Sequence, residues 1–316
     1  MSDDAYLASY SRTDIHAEML DDRSRTETYR RALLDLDLTG KTVLDVGAGT
    51  GILSLFATQA GAAHVYAVEA SALAEVTQQI VDANGLGDRI TVLRQKAEDI
   101  ELPGPVDVIV SEWMGYFLLF ERMFDSVVVA RDRWLAPGGR MLPGTATLLL
   151  AGIEDFEYAS RRFGWWDDVY GFDLTPMVSR CLSEAVVERV DERHVLTDLV
   201  KVLELDLLTA KADDQDFEAT FELRVNRTDH LHAIMGAFDV TFNEDGDELV
   251  LATDPFSEGT HWKQTIFYLE RPLSVKKGDV IEGSIRVVRH PDNPRGLEVV
   301  LHLATDDEER SGTYQV

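Results

Sequence analysis

The chain changes its folding pattern near Pro137-Gly138-Gly139. Before that point, short apolar runs alternate with helical periodicity. Thr42–Val46 is followed by a helical run to about Ala60, His64–Val68 by a helix through about Asn84, and then come Ile90–Leu93 and Val106–Val110. Runs of this kind suit strands buried on both faces, and intervening helices supply the crossovers that parallel strands need. The first half is therefore predicted to be a parallel, doubly wound sheet. From about Thr145 the pattern is strand after strand: Thr147–Leu150, Val202–Leu208, Phe217–Val225, His232–Phe242, Gln264–Leu269 and Leu297–Leu303. Turn residues such as Asn243-Glu244-Asp245-Gly246 and Lys277-Gly278-Asp279 separate some of them, which predicts an antiparallel sandwich or barrel. Residues 5–39 read as helical, with Ile15, Met19, Tyr29, Leu33 and Leu34 as the apolar positions and Asp14 as a cap.

At 316 residues the chain can hold two domains with sizeable cores. Met1-Ser2-Asp3-Asp4-Ala5 lacks a basic, then apolar, leader, and no apolar stretch is long enough to span a bilayer. The single cysteine, Cys181, excludes an intrachain disulfide and fits a reducing cytoplasm. Thirty basic against 57 acidic residues give a formal net charge of −27. Such a surface repels phosphate backbones, so direct nucleic-acid binding is not expected, and it attracts basic polypeptides.

Two stretches carry chemistry. The first is Val43-Leu44-Asp45-Val46-Gly47-Ala48-Gly49-Thr50-Gly51, a strand running into a glycine turn before a helix. Glycine lets the backbone curve tightly and approach a ligand. Glu69 ends the second strand, where a carboxylate can accept from both ribose hydroxyls. A dinucleotide fingerprint needs G-x-G-x-x-G, but the third glycine falls at Gly51 and Ile52 follows it. The register suits a single nucleoside without a pyrophosphate, with S-adenosylmethionine as the candidate. Glu98, after the third strand, lies where it can reach an adenine amino group or simply face solvent. The second stretch is Ser111-Glu112-Trp113-Met114-Gly115-Tyr116-Phe117-Leu118-Leu119-Phe120-Glu121. Two carboxylates among apolar neighbours are costly unless a cation shares their charge. A guanidinium is the cation that two carboxylates can grip from two sides, so the loop suggests a pocket for arginine.

With Asp22-Arg23-Ser24-Arg25-Thr26-Glu27-Thr28-Tyr29-Arg30 and Thr260-His261-Trp262-Lys263-Gln264, these stretches occur in the order and spacing of a known family. The chain resembles the protein arginine N-methyltransferases, and within them the type I branch, over nearly its whole length. The resemblance implies a Rossmann-like methyltransferase domain (40–143) after N-terminal helices (1–39), then a β-barrel domain (144–316) with a helical dimerisation arm at about 156–177. It implies the following roles. Glu112 and Glu121 bind the substrate guanidinium. Arg25 holds the cofactor carboxylate, with His16 nearby, and Asp45, Gly47 and Gly49 form the cofactor turn. Glu69 and Glu98 contact ribose and adenine, while Tyr6 and Tyr10 close over the cofactor. His261 pairs with Asp22, and either this dyad or Glu121 accepts the proton. Met19 and Met123 match the methionines of type I members, which implies asymmetric dimethylarginine. Leu142-Pro143 falls at the domain junction, often a cis proline. The aromatics Trp165, Trp166, Tyr170 and Phe172 imply a homodimer. The reaction calls for no metal.

One departure is Arg122, where many relatives carry serine. Beside Glu121 it either competes for that glutamate or points to solvent. Two other readings use the same residues: an acidic binding module for basic peptides without catalysis, and a methyltransferase acting on free arginine or a small molecule. The intact cofactor set argues against the first. Peptide segments rich in glycine and arginine are the expected substrate.

Overall fold

The computed structural model describes residues 8, 10, 12–242 and 248–316. Tyr6 and the turn at Asn243–Gly246 lie outside them. Two helices open the described chain, α1 (Thr13–Asp21) and α2 (Arg23–Leu34). Asp14 does not cap the first: α1 starts one residue earlier, and the Asp14 carboxylate takes the Arg12 guanidinium instead. The break falls at Asp22, whose carboxylate accepts from the Arg25 N–H and caps α2.

Next come β1 (Thr42–Val46), α3 (Ile52–Gln59), β2 (His64–Val68), α4 (Leu73–Ala83), β3 (Ile90–Leu93), β4 (Val106–Val110), α5 (Phe124–Trp134) and β5 (Leu135–Leu142). The five strands form a parallel sheet in the order β3-β2-β1-β4-β5. The order reverses between β1 and β4, the place where such sheets open a ligand crevice at their carboxyl ends. Pro137-Gly138-Gly139 precedes the seam. It lies within β5, whose ladder to β4 shifts register between Val106 and Val108. Proline offers no N–H to that ladder, and Gly138 takes a left-handed φ of 76°. The parallel sheet ends at Leu142, the Leu142–Pro143 peptide is cis, and β6 (Thr145–Ile153) begins the antiparallel part.

That part pairs β7 (Val186–Glu188), β12 (Gln264–Val275), β10 (Asp229–Thr241), β6 and β8 (Val200–Asp206) in order, with β11 (Val250–Ala252) on β10. A second sheet runs β15 (Glu309–Gln315), β14 (Asn293–Ala304), β13 (Val280–His290), β9 (Phe217–Arg224). β7, β11, β13 and β15 were not foreseen, and β10 and β12 are longer than expected. One apolar core runs through both halves and includes Tyr29, Phe124, Phe238 and Phe267. Between β6 and β7 stand α6 (Phe156–Gly164), a 3₁₀ turn (Trp165–Asp167) and α7 (Pro176–Leu182), none of which buries a residue. Among the described residues no helix is long and apolar enough to cross a membrane.

Candidate active site

A cavity of about 690 Å³ opens at the carboxyl ends of β1, β2 and β4. The glycine turn forms its floor. Gly47, Gly49 and Gly51 all take left-handed φ, at 75°, 55° and 81°. A β carbon on Gly47 would come within 2.2 Å of the Met123 methyl, so the turn and the start of α5 touch only because no side chain intervenes. His16 packs on Gly49, and its Nε2 donates to the Tyr10 carbonyl at 2.7 Å. Glu69 is buried and accepts from the N–H groups of Gly49 (2.9 Å) and Ser71 (2.7 Å), one to each oxygen. Each oxygen keeps a lone pair for a further donor. Glu98 lines the same wall and accepts from the Ser126 hydroxyl at 2.5 Å. Met19 and Met123 also face the cavity.

Asp45 does not reach it. Fully buried behind the turn, it accepts from Ser54 Oγ at 2.7 Å, and its other oxygen has no partner among the described residues. Burial pushes its carboxyl up to about 7, against the smaller opposing effect of the Ser54 hydrogen bonds.

The two-glutamate loop closes the other end. It departs repeatedly from ordinary backbone: Phe117, Leu118, Glu121 and Arg122 take φ of 54°, 64°, 73° and 55°. Each costs roughly 1–2 kcal/mol for a residue with a β carbon, so the surroundings must hold the loop. The antiparallel half does so. Trp262 Nε1 donates to the Met114 carbonyl at 2.8 Å. Phe117 lies against Gly236 of β10, where a β carbon would meet its ring at 2.2 Å, and sits edge-on to Phe267. Glu121 donates its N–H to the Arg295 carbonyl at 2.8 Å, and Arg295 Nη1 returns a bond to the Glu121 carbonyl at 2.9 Å. Inside the loop, Gly115 runs so close to Phe120 that a β carbon would lie 2.0 Å from its carbonyl oxygen.

Glu112 and Glu121 both line the cavity, with different partners. Arg25 Nε donates to Glu112 Oε2 at 3.1 Å, and its Nη1 to the Met19 carbonyl at 2.9 Å. The side chains of this pair are 7% and 10% exposed, so its charges are largely out of water. Glu121 accepts from the Tyr10 hydroxyl at 2.8 Å. His261 reaches the cavity from the antiparallel half, and Asp22 Oδ2 lies 2.7 Å from its Nδ1 and 2.8 Å from its N–H. Burial, the strongest influence on Asp22, would raise its carboxyl, but the hydrogen bonds from the His261 ring and from the Arg25 and His261 backbones together hold it below its ordinary value. An ionised Asp22 only accepts, so Nδ1 carries the proton and Nε2 is left as the basic nitrogen.

Sequence reasoning missed Arg295, Trp113 and Ser126 on the cavity wall. It expected Arg25 to meet a cofactor carboxylate and did not foresee its bond to Glu112. Arg122 does neither thing foreseen: it is buried and bonds Asp216. Among the described residues no cluster could hold a metal ion.

A parallel sheet that reverses at a glycine turn, with a buried carboxylate at the next strand end, fits a nucleoside that carries no pyrophosphate. Gly47 and Gly49 line the cavity beside Glu69, which keeps acceptors for two hydroxyls. These features define an S-adenosylmethionine-dependent methyltransferase, extended by an antiparallel β half.

Comparison with known proteins gives the family. The arginine methyltransferase oligomerization subdomain matches residues 144–308, and the pattern of ribosomal protein L11 methyltransferase matches residues 25–127. Protein arginine N-methyltransferase 1.1 of Arabidopsis thaliana is 48% identical over 310 residues, covering 97% of this chain and 80% of the relative. Protein arginine N-methyltransferase 1 of Schizosaccharomyces pombe is 47% identical over 309 residues, covering 97% and 91%. Among solved structures, the Trypanosoma brucei PRMT1 enzyme-prozyme heterotetrameric complex with AdoHcy contains a chain that superposes with a TM-score of 0.95 at 36% identity, covering 98% of this chain and 99% of that one. The chain belongs to the protein arginine N-methyltransferase family. Its cofactor is S-adenosylmethionine and its acceptor is protein arginine.

Proposed function

We propose that this enzyme is of type I and produces monomethyl- and asymmetric dimethylarginine on exposed, glycine- and arginine-rich peptide segments. The observation that carries the reading is the convergence of Glu112 and Glu121 on the cavity that also holds the glycine turn and Glu69. In this reading Gly47, Gly49, Glu69, Glu98 and His16 hold the nucleoside. Arg25 bridges the cofactor carboxylate and Glu112, and Tyr10 covers the cleft. Asp45 supports the turn from behind.

Bound S-adenosylmethionine supplies an electrophilic methyl group on a sulfonium. The protein's task is then alignment and charge placement. Glu112 and Glu121 draw the positive charge of the substrate guanidinium onto the nitrogens they touch and leave the remaining nitrogen better able to attack. Arg25 fixes Glu112, and the left-handed turn fixes Glu121. Of the two groups that can take the departing proton, the orientation of His261 favours the dyad: Asp22 holds Nδ1–H and keeps Nε2 basic. Met19 and Met123 bound the space around the reacting nitrogen, which is the basis for the asymmetric product.

The change from parallel to antiparallel sheet after Leu142 supports the boundary between 40–143 and 144–316, and the helices before β1 support 1–39 as a separate segment. The exposed aromatics of the arm, Phe156, Trp165, Tyr170 and Phe172, support a homodimer. The net charge of −27 supports basic peptides over nucleic acid, and the lone cysteine supports a cytoplasmic enzyme. The test is mass spectrometry of a glycine/arginine-rich peptide incubated with purified protein and cofactor. Fragments that lose dimethylamine are expected. Loss of monomethylamine from a dimethylated arginine would overturn the asymmetric product. Methylation of free arginine alone would overturn the peptide substrate.

A further inference from the structure

We propose that Arg122 is a positioning residue: locked to Asp216, it maintains the left-handed turn that aims Glu121 into the cavity. The inference rests on the reading of Glu121 as a substrate-binding carboxylate. Glu121 and Arg122 are consecutive residues with β carbons at φ of 73° and 55°. Neither residue type favours that region, so the turn persists only where its surroundings hold it.

The surroundings grip it from two sides. On one side Arg295 exchanges two hydrogen bonds with the Glu121 backbone. On the other, the Arg122 side chain is 3% exposed and places Nη1 2.6 Å from Asp216 Oδ1. Its Nη2 lies 4.0 Å from Asp125 Oδ1 in the first turn of α5. Both carboxylates are themselves held. Asp216 accepts from the Arg289 N–H, and Asp125 accepts from the Arg289 guanidinium and from Gln215 Nε2. The network thus ties the start of α5 to the segment before β9 and to β13.

The guanidinium sits there at a cost, because its Nε is buried and has no hydrogen-bond partner among the described residues. A side chain kept only to fill space would not need to be charged. If the pair is broken, the turn can return to right-handed backbone, and the Glu121 carboxylate swings away from its place opposite Glu112.

The test uses the full-length protein with Arg122→Met, Asp216→Ala, the double variant and Arg122→Lys. The Asp216 side chain is 39% exposed, so Asp216→Ala breaks the pair with little risk to folding. With saturating cofactor, each single variant is expected to lose about tenfold or more in kcat, while the cofactor dissociation constant stays within about twofold. The double variant should be no worse than the poorer single one, and Arg122→Lys should recover part of the loss. Losses that add in the double variant overturn the proposal, as does an unchanged kcat with Glu121 unmoved. A crystal structure of Asp216→Ala is the second readout. Glu121 displaced from the cavity supports the proposal, and an unmoved Glu121 overturns it whatever the activity. If Glu121 moves but peptide methylation never depended on it, the reading of Glu121 fails and the positioning role of Arg122 stands.

Discussion

Around the cavity, charged groups are drawn out of water and paired; along the arm, apolar rings are left standing in it. His16, Asp22, Arg25 and Glu69 are all buried, and each has a hydrogen-bond partner within its own chain. In the arm, Tyr170 is 96% exposed, Phe172 70%, Phe156 63% and Trp165 55%. A buried charge whose partners come from the same chain marks a surface that is complete in one copy. A cluster of exposed rings marks one that is finished only by another molecule. The cleft should therefore behave as a property of the monomer, and the arm as a property of the assembly.

The sharpest break between the two is Glu121→Gln. It keeps the shape of the cleft and removes one of its two charges, so kcat should fall by about 10²–10³ while cofactor affinity is retained. Single-turnover methylation and calorimetric cofactor titration measure the two separately. Loss of cofactor binding would mean that the two ends of the cavity are not independent.

Asp22→Asn comes next. The amide can donate to Nδ1, which favours the wrong tautomer of His261, and kcat should drop by about tenfold or more. Because the native carboxyl is held low, its contribution to stability is present at neutral pH. It is lost only as pH falls below the ordinary carboxylate range through the folded value. Thermal midpoints of native and variant protein should differ at pH 7 and converge in acid.

For the proposed homodimer, Tyr170→Ser with Phe172→Ser should shift sedimentation from dimer toward monomer and raise the dissociation constant by about tenfold or more. Cofactor affinity of the isolated monomer, if unchanged, upholds the separation of the two regions. If it collapses, the cleft also depends on the second copy.

Asp45→Asn should have the smallest effect on catalysis and act on stability instead. The folded carboxyl titrates at about 7, so between pH 4 and 7 the native state binds the extra proton. Stability therefore falls with rising pH through that window, at up to about 1.4 kcal/mol per pH unit. The asparagine variant should lose this slope in chemical unfolding followed from pH 4 to 8.

The two regions were also unequally legible. The glycine turn, Glu69 and the two-glutamate loop occupy short contiguous stretches at strand ends, so residue order alone brought them forward. Arg295 was missed because it sits at the wet start of β14, which read as a strand only from Leu297, and β13 before it did not read as a strand at all. Gly283 and Ser284 interrupt its apolar pattern, and Glu282, Arg286 and Arg289 occupy its wetter positions. β15 buries only Tyr314, so it too read as a tail. Strands with one wet face look like loops when only apolar runs are counted. The bonds from Arg25 to Glu112 and from Arg122 to Asp216 span 87 and 94 positions, and nothing local announces them. The arm was recognisable as an aromatic insertion, since side chains that need no partner within the chain leave their composition in plain view.

The bond between Asp22 and His261 joins positions 239 apart. The arginine that pins the Glu121 backbone lies 174 positions from it and follows His261 in the chain. On the ribosome, the parallel half can emerge and gather its core while the dyad is unmade and the glutamate turn unsupported. A chain cut short before His261 would thus keep the glycine turn but leave Asp22 without its imidazole partner. The pair between Asp22 and His261 thus forms only after the antiparallel half has been translated through His261.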